Sequence, residues 1–99
     1  MRVLSRGTLR DFWERPNRED SEQPLKAWYD EAKAATWETP QAIKAAYGTA
    51  SIVANNRVVF NIAGNKYRLV AAIDYPRQWC LIRFIGTHAE YDKIDVTKV

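Results

Sequence analysis

Apolar and polar residues alternate with period two along Arg57–Ile62, RVVFNI. Val58, Phe60 and Ile62 take one side and Arg57, Val59 and Asn61 the other, as in a half-buried strand. Gly64-Asn65 then supplies a two-residue hairpin signal, which pairs Asn61 with Arg68, Phe60 with Leu69 and Ile62 with Tyr67. A second turn over Tyr75-Pro76-Arg77-Gln78 pairs Asp74 with Trp79 and Val70 with Arg83. This register predicts Asn61, Arg68 and Arg83 on one face of a small antiparallel sheet. Leu69, Ile73, Ile82 and Phe84 fall on the other, which should take the helices. The last strand runs into Gly86-Thr87-His88, with Thr87 placed to cap a closing helical turn that brings His88 and Tyr91 to the sheet's end.

Upstream the period changes to that of a helix. Leu9, Phe12 and Trp13 recur at helical spacing within Arg6–Glu14, and Pro16 ends the segment. Asn17–Gln23 reads as a loop, with Ser21 as N-cap and Pro24 in the first turn of the next helix. Leu25, Trp28, Tyr29, Ala32 and Ala35 form one apolar stripe. Thr39-Pro40 opens a third, short helix carrying Ile43, Ala46 and Tyr47 and stopping at Gly48. Ala50–Asn56 leads to the sheet, with Asn55-Asn56 suited to a tight turn. Met1–Ser5 is β-branched enough for an edge strand. The expected fold is α+β, with two to three N-terminal helices on one face of a twisted antiparallel sheet. One domain over 1–99 is predicted, without repeat or linker.

Composition narrows the class. A chain of 99 residues, 46% apolar and 12% aromatic, closes one small core. Trp13, Trp28 and Trp37 are assigned to packing or partner contact. The single cysteine, Cys80, excludes an intramolecular disulfide and a cysteine-based zinc cluster, and it falls on the core face. No apolar run reaches membrane-spanning length and the N-terminal residues lack a signal-peptide h-region, so no membrane association and a cytoplasmic location are expected. Residues 1–56 hold 8 Lys/Arg and 8 Asp/Glu, whereas 57–99 hold 7 against 4. The excess positive charge therefore lies in the strand half, a bias towards a polyanion.

The chemistry on that face has a direction. Arginine forks match phosphate oxygens, a histidine exchanges protons near neutrality, and a tyrosine bonds phosphate or stacks on a base. Together these are the parts of an RNA-cleaving site. The plainer reading has solubilising arginines, a histidine serving backbone groups and a packed tyrosine. Other chemistries find less support. Ala63-Gly64-Asn65 opens no helix and so is no phosphate loop, one His and one Cys make no metal cluster, and no nucleophile elbow is present.

VFNIAGNKYRLVAAIDY followed by IRFIGTHAEYDKID, spanning Val59–Asp95, resembles the HigB-type toxins of type II toxin–antitoxin modules within the RelE/ParE superfamily. AWYDEAKAATWETPQAIKAAYGTASIVANNR fits the same family more loosely. Ala63 departs from it, standing where a second glycine is common. The resemblance implies a metal-independent, cofactor-free, ribosome-dependent mRNA endonuclease that attacks through the 2′-OH and blocks translation. It also implies a HigA-like helix-turn-helix antitoxin, rRNA contacts, and operator DNA reached only through the antitoxin complex. Carried onto this chain, the catalytic residues are His88, Arg68, Arg83 and Tyr91, and the RNA-binding residues are Lys66, Asn61 and Arg57. Arg68 is placed nearest the scissile phosphate, and Arg83 is either a second phosphate ligand or a partner of Asp92. The rival readings are a ParE-like inhibitor of gyrase without catalysis, a plain RNA-binding module, and an inactive toxin.

Overall fold

A computed structural model describes residues 1–99. Strand β1 (Arg2–Leu4) leads into α1 (Gly7–Trp13), a 3-10 turn at Glu19–Ser21, α2 (Glu22–Ala34) and α3 (Pro40–Ala46). Strands β2 (Ser51–Val53), β3 (Arg57–Ile62), β4 (Tyr67–Asp74) and β5 (Trp79–Thr87) follow, and α4 (His88–Tyr91) comes last. The sheet order is β1-β5-β4-β3-β2. It is antiparallel except for β1, which joins β5 in parallel with Val3 opposite Cys80. The α+β expectation holds. The sheet is mixed rather than purely antiparallel, and β2, expected as a connecting segment, is its fifth strand.

Local signals account for most boundaries. Thr39 caps α3 by accepting from the Ala42 N–H at 3.2 Å, with Pro40 in the first turn. Asn55 and Asn56 both take positive φ between β2 and β3, a region asparagine tolerates. Two expected caps fail. The Ser21 hydroxyl donates backwards to the Arg18 carbonyl at 2.6 Å and makes no capping bond to α2. Gly48 is not among the positive-φ residues, so α3 ends at Tyr47 without a left-handed glycine cap.

Strands β3 and β4 pair in the predicted register, Phe60 opposite Leu69 and Asn61 opposite Arg68. Strands β4 and β5 begin as predicted, with Asp74 opposite Trp79 and Ala71 opposite Ile82. A β-bulge then intervenes, and Val70 lies opposite Phe84, not Arg83. Arg83 is the extra residue, and every later position of β5 changes face. Phe84, expected in the core, lies on the opposite face, and Ile85, 8% exposed, takes its place among the core residues.

The helices cover the face formed by Val58, Phe60, Ile62, Leu69, Ile73 and Ile82. Phe60 is its aromatic centre, with ring centroids of Trp28, Tyr47 and Trp37 at 5.3, 5.1 and 6.1 Å. Cys80 is buried there, and burial pushes its thiol up to about 12, which keeps it in the unreactive form. The far face is not open to solvent either. Val59 and Val70 are 3% and 0% exposed although they lie outside the core cluster. The segment after α4 is tied to the start of β3, where Asn55 Nδ2 donates to the Thr97 carbonyl at 3.2 Å and Arg57 to the Val99 carbonyl at 2.7 Å.

Two stability outcomes follow. Ala63 sits at φ 55 in the β3–β4 turn, where an L-residue is strained by roughly 1 kcal/mol or more. Ala63→Gly should therefore raise the unfolding free energy by a few tenths up to about 1 kcal/mol after the added flexibility of the unfolded chain. A Cβ on Gly86 would stand 2.5 Å from Phe84 Cζ and 3.2 Å from Glu90 Cβ. Gly86→Ala must displace the Phe84 ring and should cost about 1–3 kcal/mol in chemical denaturation.

Candidate functional site

Helix α4 is a single turn, too short to persist by itself. A reciprocal capping box holds it. Thr87 Oγ1 accepts from the Glu90 N–H at 3.1 Å, and Glu90 Oε1 accepts from the Thr87 N–H at 2.9 Å. The other carboxylate oxygen of Glu90 meets the Arg15 guanidinium at 3.4 Å. Chiefly through the Thr87 N–H, and despite partial desolvation, these contacts hold the Glu90 carboxyl below its usual range.

This helix presents His88 and Tyr91. His88 is half exposed, with Nδ1 3.2 Å from Asp92 Oδ2 one turn on. Nε2 is the ring nitrogen without a partner in the chain. The Tyr91 ring centroid lies 6.5 Å from that of His88. Asp92 therefore partners His88, whereas the sequence offered it to Arg83. The spacing H-x-x-x-D was a legible signal for the pair.

Beside α4, Tyr67 pairs with Thr87 and leads back to the β3–β4 turn. The buried Tyr67 donates its hydroxyl to Asp20 Oδ1 at 2.6 Å, and Lys66 binds the other carboxylate oxygen. The Lys66 and Tyr67 bonds hold Asp20 below the ordinary carboxylate range. The Asp20 bond raises Lys66, and burial, followed by that same carboxylate, raises Tyr67. Asp20 thus fastens the turn to the helical layer. Nothing local in its polar segment announces this, because the partners lie 46 and 47 residues away.

Arg68 is 8% exposed, and its fork is in use. Its two terminal nitrogens donate to the Asn65 carbonyl at 3.0 Å, the Asn65 side chain at 2.7 Å and the Tyr67 carbonyl at 3.3 Å. It braces the turn instead of facing outward. Asn61 lies across from it, half buried. Arg83 is exposed on the bulge, about 13 Å back along β5 from Thr87 at the usual rise per residue. Arg57 lies at the opposite end of β3, committed to the Asn55 and Val99 carbonyls. The structure brings together His88, Tyr91, Lys66, Arg68 and Asn61 at one end of the sheet. It leaves Arg83 midway and Arg57 remote. Four contributors were missed in the sequence: Asp20, Arg15, Glu90 and the Asp92 contact to His88. No three His, Cys, Asp or Glu side chains converge as metal ligands.

A family model described as HigB_toxin, the RelE-like toxic component of a toxin–antitoxin system, matches residues 21–94. The chain is also similar to the mRNA interferase toxin HigB of Escherichia coli strain K12, 29% identical over 94 residues, covering 93% of this chain and 88% of that protein. The mRNA interferase HigB proteins of Escherichia coli O157:H7 and Shigella flexneri match with the same identity and coverage.

The Asp20 contacts carry a pH signature. Asp20's folded value lies below its ordinary value of 3.8. Its stabilising effect is therefore complete above that pH and is lost as pH falls through the lower folded value. Asp20→Asn should lower the unfolding temperature at neutral pH. Thermal scans should show the gap to wild type closing only below about pH 3.8. A gap that persists unchanged in acid would show that the carboxylate charge is not what Lys66 and Tyr67 require.

Proposed function

The chain belongs to the HigB toxin family, the RelE-like toxic components of toxin–antitoxin systems, and we propose that it is an endoribonuclease that cuts mRNA on the ribosome and so halts translation. The names of its relatives as mRNA interferases support the activity. The observation that carries the reading is His88, half exposed at the end of β5, with Nδ1 on Asp92 and Tyr91 beside it. A packing histidine needs neither that exposure nor a carboxylate partner.

In this mechanism Nε2 of His88 removes the proton from a ribose 2′-hydroxyl. The 2′-oxygen attacks the adjacent phosphorus, and the bond to the 5′-oxygen breaks. Tyr91 supplies the proton to that leaving oxygen and recovers one from the imidazolium. The products are a 2′,3′-cyclic phosphate and a 5′-hydroxyl. Side chains alone carry the steps, with no cofactor or metal.

Lys66 places positive charge at the turn, where it offsets charge developing on the phosphate. Arg68 holds the shape of that turn, and Asn61 offers an amide beside it. Arg83, exposed and unpaired, binds a flanking phosphate. Arg57 contributes by fixing the segment after α4. The whole of 1–99 acts as one domain in the cytoplasm.

A toxin of this class has an antitoxin. We assign it as a HigA-like helix-turn-helix protein that neutralises the toxin and carries it to operator DNA, while rRNA and ribosome-bound mRNA are the targets of the free form.

Induction in a bacterial host beside a His88→Gln variant, with mapping of mRNA 5′ ends and of amino-acid incorporation, tests this. Codon-phased cuts within translated regions should appear with the wild type and fall at least about 100-fold in the variant, the usual weight of a positioned acid–base group. Cuts that survive in the variant would keep the nuclease and remove His88 from its chemistry. Growth arrest with intact mRNA would reject the nuclease in favour of a ParE-like protein–protein inhibitor.

A further inference from the structure

The one-turn helix that carries His88 is fastened by a residue far from it in sequence, Arg15. Arg15 follows α1 and is fixed on both sides, its N–H on the Phe12 carbonyl at 3.1 Å and its carbonyl accepting from Arg18 at 3.1 Å. Its guanidinium lies 5.2 Å from the centroid of the Phe12 ring, a cation–π position that points the fork. From there it reaches Glu90 Oε2 at 3.4 Å, across 75 residues of sequence. Phe12 is in turn locked edge-on against Tyr67 at 5.3 Å. The guanidinium therefore stands on the rigid core and grips the carboxylate that closes the capping box of α4.

We infer that Arg15 is a positioning residue for His88, acting through Glu90. The inference rests on the nuclease reading of His88. Helix α4 has one turn and no buried residue, so little packing holds it against fraying. An exposed ion pair shifts an equilibrium by up to about five-fold, which in a long helix changes nothing visible. In a single turn it decides how much of the time His88 keeps its place. Glu90 is the only carboxylate Arg15 meets, and Gln at that position can still complete a capping box. Removing the charge pair and removing the cap are thus separable.

The test is a double-mutant cycle on message bound to programmed ribosomes, with wild type, Arg15→Ala, Arg15→Lys, Glu90→Gln and the Arg15→Ala/Glu90→Gln pair. Arg15→Ala should lower kcat about two- to five-fold, with KM near wild type and the unfolding temperature little changed. Arg15→Lys should recover most of the rate. In the Glu90→Gln background Arg15→Ala should add nothing. A loss expressed in KM, or one that persists in full when Glu90 is Gln, would make Arg15 a direct RNA contact and overturn the inference.

A second readout does not depend on cleavage. His88 is the only histidine, so its imidazole gives one set of NMR signals. Arg15→Ala should move them towards a mobile, unpaired ring, and unchanged signals would also overturn the inference. If the wild type cuts no ribosome-bound message, the proposed function fails, and these signals still decide whether Arg15 positions the ring.

Discussion

Nine residues of β5 face eight of β4, and the residue left over, Arg83, sets the geometry of everything after it. Before the bulge, Cys80 and Ile82 point into the core. Beyond it Ile85 takes that role, and Phe84 and Gly86 join the far face. Without the extra residue Ile85 would leave the core, and Phe84 with its larger ring would enter it. The bulge also brings Gly86 opposite Arg68 and Thr87 opposite Tyr67. His88 therefore starts its turn beside the Lys66–Asp20–Tyr67 contacts, not one position away on the other side of the sheet. A single unpaired residue thereby couples core packing to the place of the histidine.

The far face behaves differently from a solvated sheet. With Val59 and Val70 buried, an arginine on that face has to satisfy its donors within the chain. Arg68 does so on the Asn65 and Tyr67 oxygens. Arg57 does so on the Asn55 and Val99 carbonyls, leaving its Nε without a partner. Cations that periodicity places on one open surface are thus separated into two structural braces and one exposed residue, Arg83. What remains accessible is the end of the sheet, where the turn and α4 meet.

The legible parts of the fold are those coded by local rules. Alternation in RVVFNI and the glycine after Ala63 determine the β3–β4 register. The left-handed positions nevertheless fall on Ala63 and Gly64, which the hairpin rule alone does not foresee. Thr39-Pro40 was readable for the same local reason. The bulge was not, because IRFI offers an apolar residue at both 84 and 85, so either parity satisfies the pattern. Strand β2 was hidden because three residues carry no period. At the site, the Thr87 cap and the spacing of His88 to Asp92 are readable within five residues. Asp20 and Arg15 act across the whole chain, and only the packed structure shows them.

Formal charge overstates what an RNA would meet. Of the seven Lys and Arg in 57–99, Arg57 and Arg68 are tied into the structure. Lys66, Arg77 and Lys98 are paired with Asp20, Asp74 and Asp95. The exposed pairs can exchange a carboxylate for a phosphate at small cost, but the two braces cannot. Arg83 and Lys93 are the cations with no partner in the chain. Because affinity for a free polyanion grows with the number of phosphates neutralised, this strand half is poorly equipped to capture naked RNA by charge alone. A nuclease built this way gains from a substrate that another body holds in place. That is a physical reason, independent of any relative's name, to look for its activity on ribosome-bound message instead of on free transcripts.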